Sequence, residues 1–260
     1  MDDDGARALN GLAFIVTGST AGIGLATVDR LLAQGACVLG VDNCALPGAD
    51  MLADAEKQFH FLLADVTDAE APDAIVGLTM ARFGRLDGLA NNAGAYPRGG
   101  VTDTSPELYD KVMQLNLRAP FFLAQAVIGR ALKNGKPCSL VNIGSINAYC
   151  GLPELSAYAM AKGGLMTMTR NLANSLAGTG IRINQLNVGW TDTEGEDALQ
   201  RSTGGGADWR EHISPRDAPR GTILQPSEVA EHVCFWLSPR SAPVSGSVCE
   251  VEQFPVIGRP

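Results

Sequence analysis

Short apolar runs alternate with amphipathic stretches along almost the whole of this 260-residue chain, and that alternation leaves few folds open to it. A short aliphatic run bounded by turn residues reads as a strand, and a longer stretch with apolar residues three or four apart reads as a helix. Strands that alternate with helices build a parallel sheet covered on both faces. The runs predict strands over Leu12–Val16, Cys37–Val41 (ending at Asp42), Phe59–Ala64, Leu86–Asn91, Leu140–Gly144, Ile181–Val188 and about Ser247–Val251. Helices are expected from the glycines after Val16 through Gln34, then over about Asp68–Arg82, Ser105–Leu117, Ala119–Leu132, Ser156–Leu176 and Ser227–Leu237. The fold expected is α/β, a doubly wound parallel sheet of about seven strands, in one domain over residues 1–260. The stretch from Gly189 to Gly221 interrupts the pattern: it is polar, rich in Gly, Pro and charge, and has no clear period. A connection of that length inside a compact domain is usually functional, so a substrate lid is expected at about 190–221.

Between the first strand and the first helix lies Thr17-Gly18-Ser-Thr20-Ala-Gly22-Ile23-Gly24. Glycines at that junction allow a tight turn and bring backbone N–H groups up to a pyrophosphate, whose charge suits a helix N-terminus. The spacing is GxxxGxG rather than GxGxxG, and no Gly-Lys-Ser/Thr follows to make a P-loop. Eighteen residues beyond Gly24, Asp42 closes the second strand. A carboxylate there accepts from the adenosine ribose hydroxyls and repels a 2′-phosphate. With no lysine or arginine in the glycine turn or directly before Asp42, NAD is expected over NADP.

Further along, Tyr158-Ala-Met-Ala-Lys162 follows Ser145 by thirteen residues. Positions four apart share a helix face, which puts the ammonium beside the phenol. A free tyrosine titrates at about 10; a neighbouring cation favours the phenolate and brings the group towards the range of a working acid/base.

Composition excludes other classes of function. The net charge of −8 and pI near 4.9 argue against nucleic acid or an anionic membrane as the main partner and leave a small-molecule substrate. Cys37, Cys44, Cys138, Cys150, Cys234 and Cys249 are scattered without CxxC spacing, several within apolar runs, so buried free thiols and a reducing, cytoplasmic compartment are expected. The acidic start Met1-Asp2-Asp3-Asp4 is the wrong charge for a signal peptide, and no apolar stretch is long enough to span a bilayer. His60, His212 and His232 form no ligand spacing, so no catalytic metal is expected.

Taken in order, the glycine turn, Asp65-Val66, Asn91-Asn92-Ala93-Gly94, Asn116, Ser145 and Tyr158-xxx-Lys162 make the chain resemble the short-chain dehydrogenase/reductase family, in its classical branch, over nearly its whole length. The resemblance implies a Rossmann-type fold, an oxidoreductase acting on CH–OH groups, and a homo-oligomer, commonly a tetramer. By position it implies that Tyr158 is the acid/base at the substrate oxygen and that Lys162 lowers its pKa and holds the nicotinamide ribose. It makes Ser145 a donor to the carbonyl oxygen, and Asn116 the residue whose backbone holds a water linking Lys162 to solvent. Asp65 and Val66 would take the adenine, while Asn92, Ala93 and Gly94 would line the cofactor. The family commonly has Pro-Gly after the sixth strand; here Val188-Gly189 stands there, followed by Trp190-Thr191-Asp192-Thr193. Val188 is counted among the cofactor residues, and Thr191 is expected, ahead of Thr193, to reach the nicotinamide carboxamide.

The substrate pocket is expected between residues 95–98, 146–154 and the lid, with Asn147, Glu154 and Trp190 as contacts beside Tyr158. Amides and carboxylates there suit a substrate with several hydroxyls, so a sugar, polyol or similar compound is expected. A 3-oxoacyl or steroid-type carbonyl reductase is the alternative, and a catalytically silent NAD-binding protein a third. The run Glu194-Gly-Glu196-Asp197 opposes an anionic carrier, whereas Arg98, Arg201, Arg210, Arg216 and Arg220 leave a substrate carboxylate open. Phe254, Val256 and Ile257 suggest a tail packed on a neighbouring subunit.

Overall fold

The computed structural model describes residues 9–46 and 57–256. Seven strands form one sheet: β1 Ala13–Thr17, β2 Cys37–Asp42, β3 Phe59–Leu63, β4 Gly88–Asn91, β5 Cys138–Ser145, β6 Ile181–Val188 and β7 Val248–Val251. Every pairing is parallel, and the order across the sheet is β3-β2-β1-β4-β5-β6-β7. The helices are α1 Gly22–Ala33, α2 Ala71–Phe83, α3 Pro106–Met113, α4 Ala119–Asn134, α5 Ser156–Ser175, α6 Glu194–Ser202 and α7 Pro226–Leu237.

Central strands are buried along their length because helices cover both faces. Alternate residues of β1 feed different cores, as a period of two requires. Ile15 joins Leu39, Leu89, Leu140 and Ile183 beneath α2, α4 and the end of α5. Phe14 and Val16 join Val38, Val141 and Leu186 beneath α1 and α7. The strand order reverses between β1 and β4, so their carboxyl ends open a crevice, where such sheets bind ligands.

Several boundaries differ from expectation. The second helix starts at Ala71, since the Asp65 carboxylate ties Thr67 into a turn and Pro72 suits a first helical turn. The fifth strand reaches Ser145 because β6 pairs with it over all eight residues. No break separates α3 from α4: residues Gln114–Arg118 run on as a π-helical turn. The expected lid is structured. Thr193 caps α6 by accepting from the Glu196 N–H, and a short 3-10 turn follows at Trp209–His212. Thr193-x-x-Glu196 is the sequence signature of such a start, and it stood in a segment read as having no period. The six cysteines are free thiols, but Cys44 and Cys150 are exposed rather than buried. Gln253, after β7, bonds Thr222 O and the Arg220 N–H. Ile257 lies outside the described residues.

Candidate active site

The crevice is built from the glycine turn and the segment after β4. Gly18 takes φ +65°, and a Cβ on Gly24 would sit 1.8 Å from the Gly18 carbonyl oxygen, so the turn closes only with glycine there. Asn92 locks it from across the sheet: its amide donates to Thr17 O (2.9 Å) and Gly18 O (3.0 Å). The Thr17 hydroxyl accepts from the N–H groups of Asn92 and Ala93, both at 3.0 Å. Ile23 packs partly into the core under α1. At the first residue of α1, the Gly22 N–H donates to a Glu194 carboxylate oxygen at 3.2 Å. The turn therefore already holds an anionic oxygen, the kind of ligand a phosphate is.

Asp42 stands beside the turn. Its Oδ2 accepts from the Thr20 N–H (3.0 Å) and the Thr20 hydroxyl (2.7 Å), and its Oδ1 accepts from the Cys44 N–H (3.2 Å). Asp65 turns one oxygen to the Thr67 N–H and hydroxyl, and those bonds, with a further one from Asn43, hold it below the usual carboxylate range. Val66 packs at the edge of the core. Glycine turn, Asp42 and Asp65 thus line one continuous rim.

The second group gathers at the ends of β5 and α5. Ser145 ends its strand with a hydroxyl that accepts from the N–H and the side-chain amide of Asn147, both at 3.2 Å. Its own proton stays available to another acceptor, and it bonds the Tyr158 phenol. Asn147, expected from sequence to contact substrate, donates to Ser145 and accepts from the Leu152 N–H. One turn along α5 from Tyr158, Lys162 is 4% exposed and donates to Ile143 O at 2.8 Å. Its ammonium lies 5.5 Å from the Tyr158 ring centroid. The expected lowering of the phenol is absent from the protein alone: burial pushes Tyr158 up to about 12, with the Ser145 hydroxyl pulling the other way. Burial also pulls Lys162 down to about 8.

Asn116 lies in the π turn, a feature frequent at functional sites. Its amide donates to Ala95 O (2.8 Å) and Val112 O (3.0 Å), while its buried Oδ1 has no partner. Gly94 leaves space between the two groups: a Cβ there would lie 2.8 Å from Asn116 Oδ1 and 3.6 Å from Lys162 Nζ. A buried acceptor without a partner beside a buried ammonium suits an ordered water. Behind them runs a chain that sequence reading missed: Asn91 to Asn142, Asn142 to Thr169, and Thr169 to Gln185. The signal was present as amide side chains inside strands that are otherwise apolar.

The lid and the segments beside it supply the third group. Thr191 is buried and its hydroxyl donates to Gly189 O, whereas Thr193 sits against the glycine turn, its methyl 3.0 Å from where a Gly22 Cβ would be. Thr193 is thus the threonine at the crevice. Val188 has its side chain in the core and pairs with Ser145 and Val251, leaving only backbone for a ligand. Glu154, expected to contact substrate, forms an ion pair with Arg98. Trp190 stacks on Trp209 at 5.7 Å and donates from Nε1 to Glu196 at 2.8 Å. Glu252, beyond β7, anchors the root of the lid by accepting from the Trp190 N–H. Tyr96, within the 95–98 segment expected to border the pocket, packs 5.9 Å from the Tyr158 ring and donates to Glu196 at 3.2 Å.

The arrangement can hold an anionic nucleotide over the ends of β1 and β4 and exchange a proton at a hydroxyl beside it. Comparison with known proteins agrees. Residues 18–253 match the family described as enoyl-(acyl carrier protein) reductase. The chain is 32% identical to 2-(S)-hydroxypropyl-CoM dehydrogenase 3 of Xanthobacter autotrophicus, covering 91% of this chain and 93% of that one. It is 33% identical to sorbitol-6-phosphate 2-dehydrogenase of Klebsiella pneumoniae, covering 89% and 91%. The solved structure of levodione reductase superposes with a TM-score of 0.82 at 27% identity, covering 94% and 97%. Fold, crevice and relatives agree: the chain belongs to the classical short-chain dehydrogenase/reductase family, oxidoreductases that act on CH–OH groups with a nicotinamide cofactor.

Proposed function

We propose that this chain is an NAD-dependent oxidoreductase that interconverts a secondary alcohol or lactol with a carbonyl or lactone. Its substrate is a sugar, a polyol or a similar small polyhydroxylated compound. The observation that carries the cofactor choice is Asp42, held by Thr20 at the rim of the glycine turn. Its oxygens suit ribose hydroxyls and oppose a 2′-phosphate, and neither the turn nor Asn43-Cys44 offers a cation. Bound NAD supplies the acceptor and donor of hydride. The chain does the rest. Gly18, Gly22, Ile23 and Gly24 seat the phosphates, Asp65 and Val66 border the adenine, and Asn92, Ala93 and Gly94 shape the floor. Thr193 would hold the carboxamide. Ser145 donates to the substrate oxygen and stabilises charge developing there. Tyr158 takes the alcohol proton, and Lys162 supplies the cation that favours its phenolate. A water between Lys162 and Asn116 Oδ1 returns that proton to solvent.

The polyol reading is supported by Asn147 beside Ser145, Tyr96 against Tyr158 and Glu196 behind Tyr96, and by the relative named for sorbitol 6-phosphate. The test is kcat/KM with NAD and NADP, for the protein and for Asp42→Ala. The expected result is a preference for NAD of tenfold or more that shrinks in the variant; a wild-type preference for NADP overturns the reading. A substrate panel of sugars, polyols, hydroxysteroids and 3-hydroxyacyl esters decides the rest. Turnover confined to acyl thioesters rejects the polyol assignment, and NAD binding without any turnover favours a silent protein.

The same reading makes the protein a homo-oligomer, a tetramer by resemblance. Support comes from Phe121 and Phe122 on α4, aromatic residues left about a third exposed; a monomer in light scattering rejects it. Six free thiols fit a reducing, cytoplasmic compartment. Among the described residues no helix is long and apolar enough to cross a membrane.

A further inference from the structure

Glu196 lies in the first turn of α6 at 8% exposure, and every group that reaches its carboxylate is neutral. Trp190 Nε1 (2.8 Å) and Gln200 Nε2 (2.7 Å) donate to Oε1, and the Tyr96 hydroxyl donates to Oε2. It makes no ion pair among the described residues. Tyr96 in turn packs against Tyr158, so the carboxylate stands one side chain away from the hydroxyl that meets the substrate. Its charge is felt at Tyr96, whose phenol is pushed well up, first by burial and then by Glu196.

The arginines around the same opening do not balance that charge. Arg98 pairs with Glu154, Arg210 with Asp192 and Asp197, Arg201 with Asp197, and Arg220 with Glu228. Arg216 is partnered too. A buried charge is weakly screened and acts over several ångströms, whereas a paired arginine presents little net charge.

We propose that Glu196, held against Tyr96 by Trp190 and Gln200, is a specificity-determining residue that admits neutral alcohols to Tyr158 and turns away alcohols carrying a phosphate or carboxylate. The proposal rests on the reading of the site as an alcohol dehydrogenase, but not on the alcohol being a polyol. Rejection by repulsion is an established route to specificity and needs no contact with the favoured substrate.

The test is kcat/KM with NAD for matched neutral and anionic alcohols: sorbitol with sorbitol 6-phosphate, and cyclohexanol with 4-hydroxycyclohexanecarboxylate. Wild type, Glu196→Gln and Glu196→Asp are compared. Binding of the same pairs to the enzyme–NADH complex, read from NADH fluorescence, gives the ratio where turnover is slow. Wild type and Glu196→Asp are expected to prefer the neutral member of each pair. Glu196→Gln, with NADH binding retained, narrows that preference about tenfold, chiefly through KM of the anionic member. A wild type that prefers the anionic member overturns the proposal, as does an unchanged ratio in Glu196→Gln. Preference for cyclohexanol over sorbitol, with the charge ratio intact, removes the polyol reading alone.

Discussion

Lys162 and Glu196 are opposite charges in equivalent trouble: both are buried, at 4% and 8% exposure, and neither has an ion-pair partner among the described residues. Their supports differ. Lys162 rises from a twenty-residue helix packed on the sheet and is pinned to a carbonyl of β5. Glu196 sits on a nine-residue helix whose neighbours are mostly other lid residues. A charge held by the sheet is fixed relative to the reacting atoms, and so it serves the proton. A charge held by the lid is fixed relative to the entrance, and so it acts on whatever enters.

The largest expected effect tests the first half of that contrast. Tyr158→Phe removes the hydroxyl that Lys162 serves and lowers kcat by about 10²- to 10⁴-fold, the usual worth of a placed acid/base, while NADH still binds in fluorescence titration. A lid substitution that cost as much would break the contrast, because the lid would then share the proton work.

Lys162→Met sharpens it through stability. The folded lysine titrates at about 8, below its ordinary 10.5, so between those values the unfolded chain binds more protons. Lys162 therefore adds to the stability of the cofactor-free protein as pH rises across that window, by at most about 3 kcal/mol, while the buried Cys138 and Cys234 thiols, raised to about 12, act the other way above about pH 9. Tyr158, raised to about 12, acts the other way above pH 10. The urea midpoint of the wild type relative to that of Lys162→Met should rise between pH 7.5 and 10, a difference in which the thiols cancel. A rise that persists in the variant places its origin in another group.

The smallest effect falls on the lid. Thr193→Ala removes the cap of α6, worth about 1 kcal/mol, and should raise KM for NAD and for substrate a few-fold with a lesser change in kcat. Thr193→Ser, which keeps the hydroxyl, should restore KM. No response to either substitution would mean that the cap does not hold the first turn of α6, and Glu196 with it, in place.

The two regions also differ in how far the residues alone revealed them. Ser145, Tyr158 and Lys162 were legible because one strand end and one helical turn bring them together, so spacing along the chain stands in for distance. The glycine turn was legible for the same reason. Thr191 was preferred to Thr193 on spacing, and spacing does not encode that a turn at the root of the lid directs one hydroxyl back to Gly189 while the next residue but one caps a helix. Asn147 and Glu154 carried suitable groups, but their partners, Ser145 and Arg98, were not visible as partners until the chain was folded.

By itself the sequence determined the alternating α/β layout, the order of the motifs, the acidic end of β2 and the tyrosine–lysine face. Each of these is local, set by a period of two or about 3.6 residues or by what a turn can accommodate. Only the tertiary structure decided which charges remain unbalanced. Glu194 meets Gly22 across 172 positions and Glu196 meets Tyr96 across 100. Contacts of that range depend on how the sheet stacks its loops at one edge, and no spacing rule along the chain encodes that.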